Sequence, residues 1–366
     1  MPIHPGIASK FHLLEGISSF QQFMEDPAVA DRRKAFDEHP GYDAPAVATR
    51  MEEIPGPHGP VPARIYTPDR ADNAPCLVWT HGGAFIAGDL DMPEADWVAR
   101  ELASRAGIVV ISIDYRLCND GVTYPVPHDD VVAAMCWARH NAQSLGVNAD
   151  RLSIGGASAG ANLAAGAALK LRDADCWQPA QLILAYPAAH AVIPAPSASL
   201  AALMTEVPEI LRFPPAMTHA FNVNYLGGPV SHADGYAFPA LAALDGLCPT
   251  IMMNAEYDDL RASGEAFSAA LALALTSADV RQVQVKTMLH AFLNLPASLE
   301  PVSAALELII RTSGEATKSR ITANGRRGLS VWQVPGAHTQ ASVERSSSGP
   351  AGMGAGRPGA GGGGRG

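Results

Sequence analysis

The sequence predicts an α/β protein in which a mostly parallel central sheet carries helices on both faces. Three observations lead there. Short apolar runs alternate through the body of the chain with helix-length amphipathic segments, and one run passes into an Ala-rich helical stretch through a serine flanked by glycines. The composition, 48% hydrophobic and 17% charged over 366 residues, supplies a large core. Parallel strands covered on both faces need no polar alternation, and each crossover between them needs a helix.

Strands are expected at residues 63–66, 76–80, 108–113, 152–154, 182–185, 251–254 and 282–285, with helices at 95–106, 129–145, 159–171 and 262–275. A last apolar run, 302–310, stops at Arg311-Thr312-Ser313-Gly314, and the Gly is read as its helix stop, so the folded domain is expected to end near 314. Two segments break the rhythm, residues 1–50 and about 198–237, where Phe, Met, Pro and Leu are irregularly spaced. They are assigned as an N-terminal cap segment (1–50) and a cap insertion (198–237) within a catalytic domain spanning 51–314. Residues 315–366 end with ten glycines in the last eighteen positions. Such a tail buries too little surface to offset its ordering entropy and is expected to be disordered.

Charge and cysteine usage narrow the function classes. Of the 26 basic and 36 acidic residues, the tail 315–366 holds seven and two, which leaves the body 19 against 34, a balance of −15. An acidic body disfavours nucleic acid as a partner. No run of 18 uncharged apolar residues predicts a membrane span. The start, Met1-Pro2-Ile3-His4-Pro5, lacks a basic, then apolar, signal-peptide pattern. Cys76, Cys118, Cys136, Cys176 and Cys248 are odd in number and widely spaced, which reads as reduced, mostly buried thiols. A cytoplasmic location is the expectation from both.

The chemistry centres on Gly156-Ala157-Ser158-Ala159-Gly160, directly behind the strand-like Arg151-Leu152-Ser153-Ile154-Gly155. Glycines two before and two after the serine let the chain reverse sharply from strand to helix and lift the hydroxyl clear of the sheet edge. Alone, the pentapeptide is a weak signal; companions decide. A serine hydroxyl needs a histidine to take its proton, and that histidine needs a carboxylate to fix its tautomer. After Ser158 the histidines are His190, His219, His232, His290 and His338. His290 stands just beyond a strand-like run, where a loop at the sheet's carboxyl edge returns toward Ser158, and is the strongest candidate base. For the acid, the strand at 251–254 runs out into Glu256, Asp258 and Asp259. Position favours either Asp over Glu256, while Asp259 also reads as a helix cap. The order Ser, Asp, His results.

Acyl transfer further needs donors for the oxyanion. His81-Gly82-Gly83-Ala84-Phe85 follows a strand upstream of the nucleophile, and its small residues, Gly82, Gly83 and Ala84, let backbone N–H groups approach a substrate oxygen. Ala159 supplies another N–H.

In combination these motifs resemble the hormone-sensitive-lipase-like branch of the α/β-hydrolase esterases, the bacterial family IV esterases. The resemblance runs from about Gly59 to Arg311. His81-Gly82-Gly83-Ala84-Phe85 is similar to HGGGF/W, Asp114-Tyr115-Arg116-Leu117 to the start of DYRLAPE, and Gly156 to Ala164 to GDSAGGNLA. Asp258-Asp259-Leu260-Arg261 resembles DPLRD and His290-Ala291-Phe292 resembles HGF. The resemblance implies an α/β-hydrolase fold with a helical cap and a Ser158, Asp258, His290 triad. It also implies an oxyanion hole from Gly83, Ala84 and Ala159, and a homodimer as one assembly state. Departures are also plain. Ala84 and Ala161 replace family glycines, Ala157 replaces the common Asp, and Cys118-Asn119-Asp120 replaces APE.

The expected function is a serine carboxylesterase for small to medium aryl or alkyl esters, a small-molecule substrate, with an acyl-enzyme on Ser158. An amidase or formamidase with the same triad, and a non-catalytic ligand-binding receptor on the same fold, are the alternatives. Phe11, Phe20, Phe23, Phe36, Phe213, Met217, Phe221 and Tyr225 are candidates for an apolar pocket, of which Phe213 and Phe221, with Phe85, are assigned to it. Nothing basic adjoins the motifs, which favours neutral esters. No metal-ligand cluster or cofactor fingerprint is present in the sequence, so no metal and no cofactor are expected.

Overall fold

The period-2 alternation of a strand decides which side chain goes to which face, and β3 (Ala74–Thr80) shows it. Cys76 and Val78 enter one apolar cluster, whereas Leu77 and Trp79 enter a second on the opposite face. The computed structural model describes residues 2–319 except 20–21, 24–25, 175–176 and 276–278, with side chains described through residue 313. Eight strands form one sheet in the order β1-β2-β4-β3-β5-β6-β7-β8. β1 (Ala48–Ile54) and β2 (Val61–Thr67) pair antiparallel, as do β2 and β4 (Val109–Ile113). From β4 onward all pairs are parallel, through β5 (Val147–Ala157), β6 (Leu182–Ala185), β7 (Thr250–Tyr257) and β8 (Val280–Leu289).

The helices are α1 (Pro5–Ala8), α2 (Ala30–Asp37), α3 (Pro93–Ala106), α4 (Val126–His140), α5 (Ala159–Asp173), α6 (Ala198–Met204), α7 (Pro215–Leu226), α8 (Arg261–Ala274) and α9 (Glu300–Ser319). On one face α4, α5 and α8 bury Val131, Met135, Leu163 and Phe267 against Val78, Ile111, Ile154 and Met252. On the other, α3 and α9 bury Val98, Leu102, Leu306 and Ile309 against Leu77, Trp79, Ile183 and Met253. A sheet covered on both faces is the α/β-hydrolase architecture expected above.

Two boundaries depart from the sequence reading. Residues 48–50 belong to β1 and not to a cap. This edge strand, largely exposed except at Ile54, carries Arg50, Glu52 and Glu53 and so has no apolar run to reveal it. At the other end α9 continues through Gly314 to Ser319, five residues past the expected stop. A Gly inside a helix costs only about 1 kcal/mol, less than the packing of the preceding turns returns. The described residues lie within one compact unit, and the tail from 320, expected to be disordered, lies outside the described residues.

The start of the N-terminal segment docks on the sheet. Ile3 and Ile7 are buried in the second cluster, and the His4 N–H donates to the Thr287 carbonyl (2.9 Å), so the first turn docks on the β8 edge. Residues 11–17 then meet Pro208, Glu209 and Ile210 of the insertion along one surface groove. Cys76, Cys118 and Cys248 are buried, and Cys136 is exposed. Among the described residues no helix is long and apolar enough to cross a membrane.

Candidate active site

Ser158 joins β5 to α5 with φ 53° and ψ −116°, a conformation that L residues hold only under constraint. The constraint is visible on both sides. A Cβ on Gly156 would run into the Thr80 hydroxyl, and one on Gly160 into the Thr80 and His81 carbonyl oxygens, so β3 can press directly against the turn. The Thr80 hydroxyl donates to the Gly160 carbonyl (2.7 Å), and the Ser158 N–H donates to the Ala185 carbonyl (2.9 Å).

His290 follows β8 directly and is held between two aromatic rings, Tyr186 at 4.8 Å and Phe213 at 4.6 Å between centroids. Its Nε2 lies 3.0 Å from Ser158 Oγ and its Nδ1 2.8 Å from Asp258 Oδ2. The Asp258 carboxylate is fully buried and accepts the Leu260 N–H on its other oxygen (2.9 Å). With a carboxylate accepting at Nδ1, Nε2 is left to accept the serine proton. The other two acids go elsewhere. Glu256 accepts the Thr287 N–H (2.7 Å) and pairs with Lys286, while Asp259 accepts from Arg212 and from the Phe213 N–H. The N-cap of α8 is Leu260, so Asp259 is not the helix cap that its position allowed. Among the other histidines, His190 contacts the Ser263 hydroxyl (2.8 Å), and burial pushes its pKa down.

The loop 81–85 is strung from below. The Tyr115 hydroxyl donates to the His81 carbonyl (3.0 Å), and the Ile86 and Ala87 N–H groups donate to the Gly83 carbonyl (3.0 and 2.9 Å). The rewritten segment after Leu117 belongs to this support. The Cys118 N–H donates to the Phe85 carbonyl (2.7 Å) and the Asn119 side chain to the Ile86 carbonyl (2.9 Å). Gly82 departs from the expectation that it would offer its N–H to a substrate. That N–H is spent on Glu94 Oε1 at 2.6 Å, and a hydrogen bond to a buried carboxylate is not given up to a ligand. Among the described residues the N–H groups of Gly83, Ala84 and Ala159 have no protein acceptor and remain available.

Glu94 is a participant that sequence reasoning missed. It is 1% exposed, sits in the first turn of α3, and also accepts from the Tyr186 hydroxyl (2.8 Å) and the Asn294 amide (3.1 Å). It thus ties the loop at Gly82 to the ring beside His290 and to the segment that follows His290. Burial first, and then this carboxylate, hold the Tyr186 phenol well above its usual range. A lone acid at the start of a helix reads as an ordinary first-turn residue, so the sequence carried no signal of this role.

A cavity of about 30 Å³ opens on Ser158. Its walls are Ala84, Phe85, Ala159, Ala188, Ile193 and Leu260 from the sheet's loops, and Phe213, Thr218, Phe221 and Asn222 from the insertion. Other aromatic candidates lie apart from it. Phe23 and Phe36 pack edge to face on one another (5.9 Å), and Tyr225 is a fully buried core residue stacked behind Phe85 (4.0 Å). Phe11 faces the separate groove near Pro208, and Phe20 lies outside the described residues. A larger groove of about 840 Å³ between residues 118–123 and 223–228 is lined by none of Ser158, His290, Asp258, Gly83, Ala84 and Ala159.

A serine in a strained strand-to-helix turn, hydrogen-bonded through histidine to a buried aspartate on an eight-stranded sheet, defines the class of the α/β-hydrolases with a serine centre. Comparison with known proteins places the chain within that class. The pattern of the Abhydrolase_3 family, described as an alpha/beta hydrolase fold, matches residues 77–294. Among curated proteins, the carboxylic ester hydrolase LipN of Mycobacterium tuberculosis is 34% identical over 74% of this chain and 72% of its own length. Carboxylesterase NlhH of the same organism is 32% identical over 69% and 78%. Among solved structures, a hyperthermophilic esterase from Pyrobaculum calidifontis superposes with a TM-score of 0.73 at 28% identity, over 87% of this chain and 99% of its own. The chain belongs to the alpha/beta hydrolase fold family, in its hormone-sensitive-lipase-like esterase branch.

Proposed function

We propose that this carboxylic ester hydrolase acts on small, neutral esters through an acyl-enzyme on Ser158, with His290 as general base and acid and Asp258 as its orienting carboxylate. The observation that carries the reading is the unbroken hydrogen-bonded line from Ser158 Oγ through both nitrogens of His290 to Asp258, at the floor of an apolar cavity. Ser158 Oγ attacks the ester carbonyl carbon as His290 Nε2 takes its proton. The carbonyl π electrons move to oxygen, which the N–H groups of Gly83, Ala84 and Ala159 receive. As that oxyanion collapses, the alcohol leaves with the proton from Nε2. Water then repeats the sequence and frees the acid and the serine.

The size of the cavity supports short acyl groups. At about 30 Å³ the cavity on Ser158 is narrow, with the apolar side chains of Phe85, Phe213 and Phe221 on its walls, which supports short acyl groups over long chains. Neutral substrates are supported by the charge around it. Arg212, next in sequence to the wall residue Phe213, is already paired with Asp259 and offers no free cation to a substrate carboxylate.

The test is Ser158→Ala assayed on p-nitrophenyl acetate, with a serine-directed phosphonate as label. A loss of about 10⁴–10⁶-fold in kcat with an unchanged melting temperature, and labelling of the wild-type protein at Ser158, are expected. Retained turnover in the variant would overturn the assignment. Rates on p-nitroacetanilide, the matched amide, are expected to be far lower than on the ester.

A further inference from the structure

We propose that the Asp259–Arg212 ion pair sets the acyl-chain length this enzyme accepts, by fixing Phe213 as a wall of the acyl cavity. The inference rests on the reading that Ser158 carries the acyl group. Asp259 stands where the motif DPLRD has a proline, so its carboxylate is a feature of this chain and not of the motif. That carboxylate makes three contacts with the insertion. Arg212 Nη2 donates to Oδ1 (2.9 Å), Arg212 Nε approaches Oδ2 (3.3 Å), and the Phe213 N–H donates to Oδ2 (2.8 Å).

The pair lies where it controls the cavity. On one side, Asp259 follows Asp258, whose carboxylate holds His290. On the other, the Phe213 ring packs on His290 and lines the cavity. Pro214 and Pro215 come next, and a residue before proline is held extended, so Phe213 has little backbone freedom once Arg212 is fixed. α7 starts at Pro215 and brings Thr218, Phe221 and Asn222 to the same wall. One fork-shaped ion pair therefore decides how far the start of the insertion stands from Ser158.

An exposed ion pair contributes little as a rule, but the Asp259 side chain is 13% exposed and the fork geometry with a third donor resists sliding. Lysine cannot reproduce it, because an ammonium is a point charge without the planar fork. Loss of the pair frees Phe213 to swing from His290 and lengthens the cavity.

The experiment compares kcat/KM for p-nitrophenyl acetate and octanoate in the wild type and in Arg212→Ala, Arg212→Lys, Asp259→Asn and Phe213→Ala. The octanoate-to-acetate ratio should rise about tenfold in Arg212→Ala through a lower octanoate KM, less in Arg212→Lys, and at least as much in Phe213→Ala. Asp259→Asn is a second route to the same loss should Arg212→Ala fail to fold. A merely structural role would lower both rates and the melting temperature together, and an unmoved ratio in soluble Arg212→Ala or Asp259→Asn overturns the proposal. So does a shift in Phe213→Ala alone. Phosphonate labelling separates the two levels: labelled Ser158 with an unmoved ratio rejects only the clamp, whereas unlabelled wild-type enzyme rejects the acyl-enzyme and the clamp with it.

Discussion

Gly83 shows how a single residue without a side chain holds chemistry in place. Its φ is 113°, and a Cβ there would overlap the carbonyl oxygen of Ala87, the residue whose N–H closes the turn by donating to the Gly83 carbonyl. Gly83→Ala must therefore displace the loop and not merely fill space. We expect kcat on p-nitrophenyl acetate to fall about 10²–10³-fold, the usual cost of losing an oxyanion donor, and stopped-flow assays beside melting curves would check it. The neighbouring Gly82 differs because its N–H is engaged by Glu94. Consecutive glycines look alike in a sequence, and only the position of a carboxylate 12 residues on tells the structural one from the available ones.

At the scale of elements, the buried strands were legible because a strand covered on both faces has no choice but to be apolar. β3, β4, β6 and β7 each lie where a continuous apolar run stands. β1 was not legible, since an edge strand facing water is selected for charge and reads as loop. The helix ends were also blurred. α9 passes Gly314 because its stability comes from packing across turns, with Val302, Leu306 and Ile309 all buried. Leu306, 1% exposed, tests that account. Leu306→Ala should cost roughly 2–5 kcal/mol in urea unfolding, and a value below about 1 kcal/mol would mean that α9 is not part of the cooperative core.

For the whole molecule, the N-terminal segment is fastened to α3 through Tyr42 and His39, and the histidine responds to acid. The Tyr42 hydroxyl donates to Glu101 on α3 (2.7 Å), and the His39 ring packs on Trp97 (6.2 Å between centroids). Burial first, and then the Lys10 charge, push the His39 pKa down to about 4 from the ordinary 6.5. The unfolded chain therefore binds this proton before the folded one does. Its contribution to stability is complete above pH 6.5 and is lost as the pH falls from 6.5 toward 4. His39→Gln should flatten that limb of the stability curve, and denaturant midpoints at pH 7 and pH 4.5 would show it; an unchanged slope would place the acid sensitivity elsewhere.

The sequence by itself determined the α/β class, the order Ser, Asp, His and the loop that presents backbone donors. Each of these depends on local rules, namely apolar periodicity and the steric licence of glycine in a sharp turn. Local rules left Asp258 and Asp259 open, and only the family resemblance favoured Asp258; which N–H groups remain free, and which of the many aromatic candidates lie away from the cavity, emerged in three dimensions. Asp258 and Asp259 are identical in type and adjacent in sequence, yet one side chain points to His290 and the other to Arg212, 47 residues before it. Distances between residues far apart in the chain are set by the packing of the whole sheet, and no window of sequence contains them.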